Sequence, residues 1–366
     1  MNCDLKYMKM ALKLAKKGQG YVKTNPMVGS VIVKNDVVLS TGYHRAYGEY
    51  HAERNAILNL KTPAQGATLY VNLEPCVHYG KTPPCTDIII DSGIERVVVG
   101  TLDPNPIVAG RGIDKLRKSG IMVDVGILKD ECGKLNEIFF HNIKTKMPFV
   151  ALKFGMTLDG KIATSSGMSK WITNEEARKH AHFLRSIYSG ILVGINTVIK
   201  DDPMLSCRLV GKRNPVRIIC DTNLRIPLDC NIVKTAKEQK TYVACSVKES
   251  NKIGALKKAG VEIIMVEPLN GHINLKQLLF KLYDIGIDSV LVEGGSEINY
   301  SFIEHGLINA VYSYISPKLV GGSSSKTPVG GAGIRDLNDA INLKNENVRF
   351  FGDNILLEYR SACFGK

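Results

Sequence analysis

Three side chains that bind zinc well, His51, Cys76 and Cys85, accompany a carboxylate two positions after the histidine, Glu53. One imidazole and two thiolates suit a tetrahedral Zn²⁺ whose fourth corner is left for water. Zinc in such a site lowers the pKa of its water towards ~7. At a helix start, Glu53 can face that water without ligating the metal, take its proton and pass it to a departing amine. The chemistry such a set would suit is hydrolytic deamination. The opposing reading is a zinc that only staples the fold, closed by a fourth ligand such as His78. A staple has no use for Glu53. Cys85 follows Pro83 and Pro84, which stiffen its approach, and opens a short helix whose N-terminus favours the thiolate.

A second chemistry is suggested far along the chain. The apolar run Val290-Leu291-Val292 leads into Glu293-Gly294-Gly295-Ser296 and then a helical pattern. Backbone amides at such a helix start can cradle a phosphate, although two glycines are no G-x-G-x-x-G fingerprint. Gly155 closes another strand in Lys153-Phe154-Gly155, where a glycine allows close approach of a ligand. Trp171, the sole tryptophan, either covers a flat ligand or is ordinarily buried.

These residues need a scaffold. Leu5, Met8, Leu12 and Ala15 predict a helix over 5–16. Strands over 28–33 and 37–40 form a hairpin around Lys34-Asn35-Asp36. Helix 52–60, strand 67–73, helix 86–91, strand 96–100, helix 112–118, strand 121–125 and helix 131–144 follow. Asp103-Pro104-Asn105-Pro106 comes just after a strand, where open α/β sheets place ligands. The basic segment 141–148 ends in Pro148 and marks a boundary, giving domains 1–147 and 148–366. Strands are then expected over 149–154, 190–193, 216–220, 241–244, 262–266, 289–292 and 310–315. Thr173 and Glu176 form a capping box for a helix bearing Ala177, Ala181, Leu184 and Ile187. Further helices are expected over 252–258 and 275–283. A polar loop is expected after 193, and the Gly/Ser-rich stretch 320–333 reads as a mobile loop. Strands alternating with helices in both halves make the fold α/β.

The chain's 366 residues suit two domains, and 44% hydrophobic with 23% charged residues excludes general disorder. No run approaches the ~18 apolar residues of a membrane span. The first twenty residues lack an apolar core and carry Lys13, Lys16 and Lys17 in a helical pattern, so they are no secretory signal and the chain is expected in the cytoplasm. Nine cysteines at irregular spacing do not form a disulfide framework, and those other than Cys76 and Cys85 read as small apolar filler. The net charge of +13 is spread over both halves, which suits anionic small molecules better than nucleic acid, or else is a Lys-rich composition that only aids solubility.

His-Ala-Glu followed by Pro75-Cys76-Val77-His78-Tyr79-Gly80-Lys81-Thr82-Pro83-Pro84-Cys85 resembles the bifunctional riboflavin-biosynthesis deaminase/reductases. The resemblance runs from Thr24-Asn25-Pro26-Met27-Val28-Gly29 to Glu293-Gly294-Gly295-Ser296. Eight residues separate the two cysteines, whereas nucleoside and tRNA deaminases usually have two. The resemblance implies a cytidine-deaminase-like domain followed by a dihydrofolate-reductase-like one. The first would deaminate a diaminopyrimidinone carrying ribose 5-phosphate, and the second would reduce the ribosyl group to ribityl with NADPH. It also implies Zn²⁺ on His51, Cys76 and Cys85, with Glu53 moving protons. Asn25, His44, His78, Lys81, Asp103 and Asn105 would surround the deaminase substrate. NADPH would meet Gly155, Trp171, Thr197, Asp201 and Thr222, and the run Gly295, Ser296, Glu297, Ile298, Asn299, Tyr300 and Ser301. The reductase substrate would meet Lys153, Ser169, Arg185, Leu205, Arg208 and Glu293, the arginines holding its phosphate. Val77 stands where many relatives have Ser. A dimer or tetramer is implied, with small phosphorylated pyrimidines as substrates and neither nucleic acid nor membrane as partner. The alternative is an RNA- or nucleotide-directed zinc deaminase with an appended binding domain, which the scattered charge and the lack of an aromatic-rich basic strip disfavour.

Overall fold

A computed structural model describes residues 3–80, 82–106 and 108–361. The chain separates into two compact units, Met1–Lys146 and Met147–Lys366. The basic segment ahead of Pro148 therefore ends the first unit.

The first unit contains α1 (Cys3–Ala15), β1 (Gly29–Lys34), β2 (Val37–Tyr43), α2 (Ala52–Leu58), β3 (Thr68–Leu73), α3 (Cys85–Asp91), β4 (Arg96–Thr101), α4 (Arg111–Lys118), β5 (Met122–Val125), α5 (Lys129–Leu135) and α6 (Glu137–Thr145). Its sheet has the order β2-β1-β3-β4-β5. β1 runs antiparallel to β2 and β3, while β3, β4 and β5 are parallel. The two-residue period of the strands sorts the core. Ile32, Leu69, Val71, Val97 and Val99 pack on one face with Ala52, Ile89 and Leu116. Val31, Val33, Tyr70 and Val98 pack on the other with Tyr7, Met8, Ala11 and Cys132. Close packing requires glycine twice. A Cβ on Gly29 would lie 2.1 Å from Ala11 O of α1, and one on Gly42 would lie 2.2 Å from Ala52 O of α2. The second contact presses β2 onto the helix that carries Glu53.

The helix expected over 131–144 is broken at Asn136, which lies between α5 and α6. Its buried side chain accepts from Met27 N at 2.7 Å and donates to Met27 O at 3.0 Å. Asn72 donates to the same carbonyl and accepts from Gly29 N. Two buried amides thus hold the chain just after Asn25.

The second unit contains β6 (Phe149–Thr157), α7 (Glu175–Ile187), β7 (Gly190–Gly194), α8 (Ile195–Asp201), β8 (Val216–Cys220), α9 (Asn231–Lys234), β9 (Thr241–Cys245), α10 (Asn251–Lys258), β10 (Val261–Met265), the small pair β11 (Pro268–Leu269) and β12 (His272–Ile273), α11 (Leu275–Asp284), β13 (Ser289–Val292), α12 (Ser296–Glu304), β14 (Ala310–Ser316), β15 (Leu343–Phe351) and β16 (Asn354–Ser361). The nine-stranded sheet has the order β10-β9-β8-β7-β13-β6-β14-β16-β15. It is parallel from β10 to β14 and ends in the antiparallel hairpin of β15 and β16. The parallel strands are continuously apolar because both faces are covered: Leu192 and Ile218 join one core, Ile191, Val193 and Ile219 the other.

Three local expectations are corrected. The cap of α7 is Asn174, whose side chain accepts from Ala177 N, so the helix begins one residue beyond the Thr173 box. The polar stretch after β7 is the helix α8. The stretch 320–333 forms no regular element, yet it is fastened: Asp159 accepts from Val320 N and Gly321 N, and Asn299 donates to Pro328 O. Of the filler cysteines, Cys132, Cys220, Cys230 and Cys245 are buried, whereas Cys3 is exposed; Cys363 lies outside the described residues.

Candidate active sites

His51 is the N-cap residue of α2 in extended conformation, and Glu53 sits in the first turn. Cys76 follows β3, and Cys85 is the first residue of α3. His51 Nδ1 lies 3.5 Å from Cys76 Sγ and 3.4 Å from Cys85 Sγ. A tetrahedron with bonds of ~2.3 Å to sulfur and ~2.05 Å to nitrogen has an S–N edge of about 3.5 Å. Both S–N edges therefore match a tetrahedral zinc, and the three ligand atoms all lie within 4.8 Å of one another. Cys85 N–H donates to Cys76 Sγ at 3.3 Å. Hydrogen bonding from Cys85 and His51 lowers the Cys76 pKa, while the neighbouring Cys76 sulfur and burial raise that of Cys85. The pair holds one negative charge easily and resists a second, a repulsion that a divalent cation relieves. His78 does not join this cluster, so among the described residues nothing closes a fourth corner.

Glu53 is buried, and burial pushes its pKa to about 7. Its Oε2 has no hydrogen-bond partner among the described residues. The same cavity is lined by Asn25, His44, His51, Cys76, His78, Asp103 and Asn105. His44 follows β2. It is buried, its Nδ1 faces Tyr50 O at 3.1 Å and its Nε2 faces Asn25 Nδ2 at 3.1 Å. Proton on Nδ1 and lone pair on Nε2 satisfy both contacts, and burial lowers its pKa towards this neutral form. Burial pushes Asp103 up to about 6. Its Oδ1 accepts from Asn105 N at 2.8 Å. Lys81 lies outside the described residues. Glu74, which the sequence reading passed over, also lines this cavity; only its place next to Pro75-Cys76 could have drawn notice.

In the second unit, Glu293 directly follows β13, whose Val292 pairs with Leu152 of β6. This register brings Lys153 Nζ to 3.3 Å from Glu293 Oε2. Arg185 of α7 grips the same carboxylate with two bonds, Nε to Oε1 at 2.7 Å and Nη2 to Oε2 at 2.9 Å. Burial alone would raise the Glu293 pKa, but Arg185 and Lys153 bring it down to about 2. The Arg185 fork, expected on a phosphate, is thus engaged by Glu293. Arg208 is exposed, and Leu205 is buried in the second core with φ 51. Thr197 and Asp201 lie on α8, and Thr222 follows β8. Gly155 near the end of β6, Thr197 early in α8 and Thr222 after β8 follow the C-terminal ends of parallel strands, whereas Asp201 ends α8. Ser169 and Trp171 lie on the loop between β6 and α7. Trp171 is 59% exposed, and Arg178 stacks 4.4 Å from its ring centre, so ordinary burial does not explain it.

Gly295 caps α12, on which Ser296, Glu297, Ile298, Asn299, Tyr300 and Ser301 lie. A Cβ on Gly294 would collide with Ile298, whereas one on Gly295 would meet open space. Asn299 Oδ1 is buried without a partner among the described residues. An open glycine at a helix start, where backbone amides can meet an anion, fits a phosphate-bearing dinucleotide.

Residues 1–101 match the family model "Cytidine and deoxycytidylate deaminase zinc-binding region", and residues 148–357 match "RibD C-terminal domain". The riboflavin biosynthesis protein RibD of Actinobacillus pleuropneumoniae is 50% identical over 97% of this chain and 95% of its own. That of Aquifex aeolicus is 44% identical over 98% of each. The crystal structure of a diaminohydroxyphosphoribosylaminopyrimidine deaminase/5-amino-6-(5-phosphoribosylamino)uracil reductase from Thermotoga maritima superposes with a TM-score of 0.88 at 41% identity, covering 98% of this chain and 99% of that one. A zinc-fitting deaminase centre on one unit and a reductase fold on the other, matched along nearly the whole chain, place this protein in the RibD family, the bifunctional zinc- and NADPH-dependent deaminase/reductases of riboflavin biosynthesis.

Proposed function

We propose that domain 1–147 deaminates 2,5-diamino-6-(5-phosphoribosylamino)pyrimidin-4-one and that domain 148–366 reduces the ribosyl group of the uracil product to ribityl. The observation that carries this reading is the unpartnered Oε2 of buried Glu53 in the cavity that His51 and Cys76 line, with Cys85 completing their ligand cluster. Zinc held by the three ligands supplies the Lewis acidity that makes water a nucleophile at neutral pH. Glu53 takes the proton of the attacking water and gives it to the amino group, which leaves as ammonia while the ring carbon gains oxygen. Asn25, oriented by His44, and Asp103 with Asn105 hold the pyrimidine. Lys81 serves the same substrate.

In the reductase, NADPH supplies the hydride. Gly295, Ser296 and the rest of the first turns of α12 hold its phosphates, with Gly155, Trp171, Thr197, Asp201 and Thr222 along the strand ends. Lys153 and Glu293 orient the ribosyl group, Arg185 locks Glu293, and exposed Arg208 takes the phosphate with Ser169 beside it. Leu205 contributes through its backbone, since its side chain belongs to the core.

We further propose a cytoplasmic homo-oligomer, dimer or tetramer, that does not bind nucleic acid. Among the described residues no helix is long and apolar enough to cross a membrane. Edge strand β15 presents Phe350, 70% exposed, and Val348, which supports burial against a second copy.

The test supplies the diaminopyrimidinone ribosyl phosphate and follows ammonia without NADPH, then NADPH absorbance after its addition. Ammonia release followed by dependent NADPH oxidation is expected. E53Q should slow ammonia release by about 10²–10⁴-fold and leave reduction of the deaminated product intact. Equal deamination by E53Q and wild type would sink the assignment.

A further inference from the structure

Glu74 stands between the end of β3 and Pro75-Cys76, and it is 3% exposed. It makes no ion pair among the described residues. Its countercharge is backbone. Oε1 accepts from Gly112 N at 3.0 Å and Ile113 N at 3.4 Å. Oε2 accepts from Gly110 N at 3.0 Å and Asp103 N at 3.3 Å. Gly110 is the N-cap residue of α4, so three of the four donors are the orphan amides at the positive end of that helix. A serine or aspartate inside the turn would normally satisfy them. Here the acceptor comes from the segment that follows β3, so capping also joins separate segments. The contact is close: a Cβ on Gly112 would lie 2.2 Å from Pro75 O. Asp103 extends the order by accepting from Asn105 N.

We propose that Glu74 is a positioning residue of the deaminase, whose carboxylate fastens the loop bearing Asp103 and Asn105 to the segment bearing Cys76. One side chain then sets the distance between the metal-ligand segment and two polar groups of the substrate cavity. The proposal rests on the deaminase reading above. It assigns Glu74 no contact with the reacting atoms.

The experiment compares full-length wild type with E74Q, a near-isosteric change that places an NH₂ donor against two of the four N–H groups. E74Q should raise the KM for deamination about tenfold to a hundredfold, with kcat changed less. Zinc content and reduction of the deaminated product should match wild type. Amide exchange should accelerate in 102–113 and stay unchanged in 76–91. N105A should cost less in the E74Q background than in wild type, because the loop is already released. Should E74Q not fold, E74D, which draws both oxygens back from the amides, is expected to show the same pattern. Deamination kinetics within twofold of wild type, additive effects of N105A and E74Q, or loss of zinc from the variant would each overturn the proposal. Wild type that releases no ammonia would remove the deaminase reading itself; active wild type with an equally active variant removes only the role of Glu74.

Discussion

Side-chain pairings set the sharpest expectations. Glu293 is shared by Arg185 and Lys153, and all three are largely withdrawn from solvent. Removing one member of such a group leaves the others buried and unpaired. E293A should therefore destabilise the second unit by about 3–5 kcal/mol, read as a lower urea midpoint for that unit, and abolish ribosyl reduction. His180 presents the opposite case. Burial, assisted by Arg349, lowers its pKa to about 4, and its Nδ1 faces Tyr314 OH at 2.7 Å. The unfolded chain binds a proton near 6.5 that the folded unit refuses until about 4. Stability is thus full above 6.5 and falls as pH drops towards 4. His180 keeps some solvent contact, so the loss is discounted to about 1–2 kcal/mol. H180Q should flatten this slope, and an unchanged slope in acid melts would place the titration elsewhere. At this scale the zinc ligands and Glu53 were legible in the sequence because their types and short spacings are themselves the chemistry. Glu74, Asn72 and Asn136 were not, because each acts on backbone groups brought to it by other elements.

The elements were largely legible from period and punctuation, and the failures have local causes. The expected helix over 131–144 breaks because Asn136 is worth more as a partner for Met27 than as a helical residue. The hairpin β15–β16 went unread because its strand β15 is mostly exposed and carries no clean alternation. Close approaches between elements carry their own tests. G29A must push α1 off β1 and should cost the first unit about 1–3 kcal/mol, seen as a lowered Tm of that unit alone. The strap over α12 depends on Asp159, held at a pKa of about 2 by Thr157 and the Gly321 amide. D159A should raise the KM for NADPH severalfold while ammonia release is unaffected; an unchanged KM would show that the strap does not serve the cofactor site.

For the whole molecule, two compact units with separate cores predict separable chemistry. Dialysis against a strong chelator should stop ammonia release and lower the Tm of the first unit only, with NADPH oxidation on pre-deaminated substrate preserved. Loss of both activities would mean that zinc supports the second unit too. By itself the sequence determined the two α/β halves and brought out the candidate zinc ligands with Glu53 beside them, since these follow from residue type, period and short-range spacing. Only the tertiary structure decided that Arg185 grips Glu293 in place of standing open, that His44 orients Asn25, and that Glu74 ties α4 to the metal segment. Those pairings join residues from 19 to 108 positions apart. No local pattern encodes such distances; they arise when strand register and helix packing bring remote side chains to one edge of a sheet.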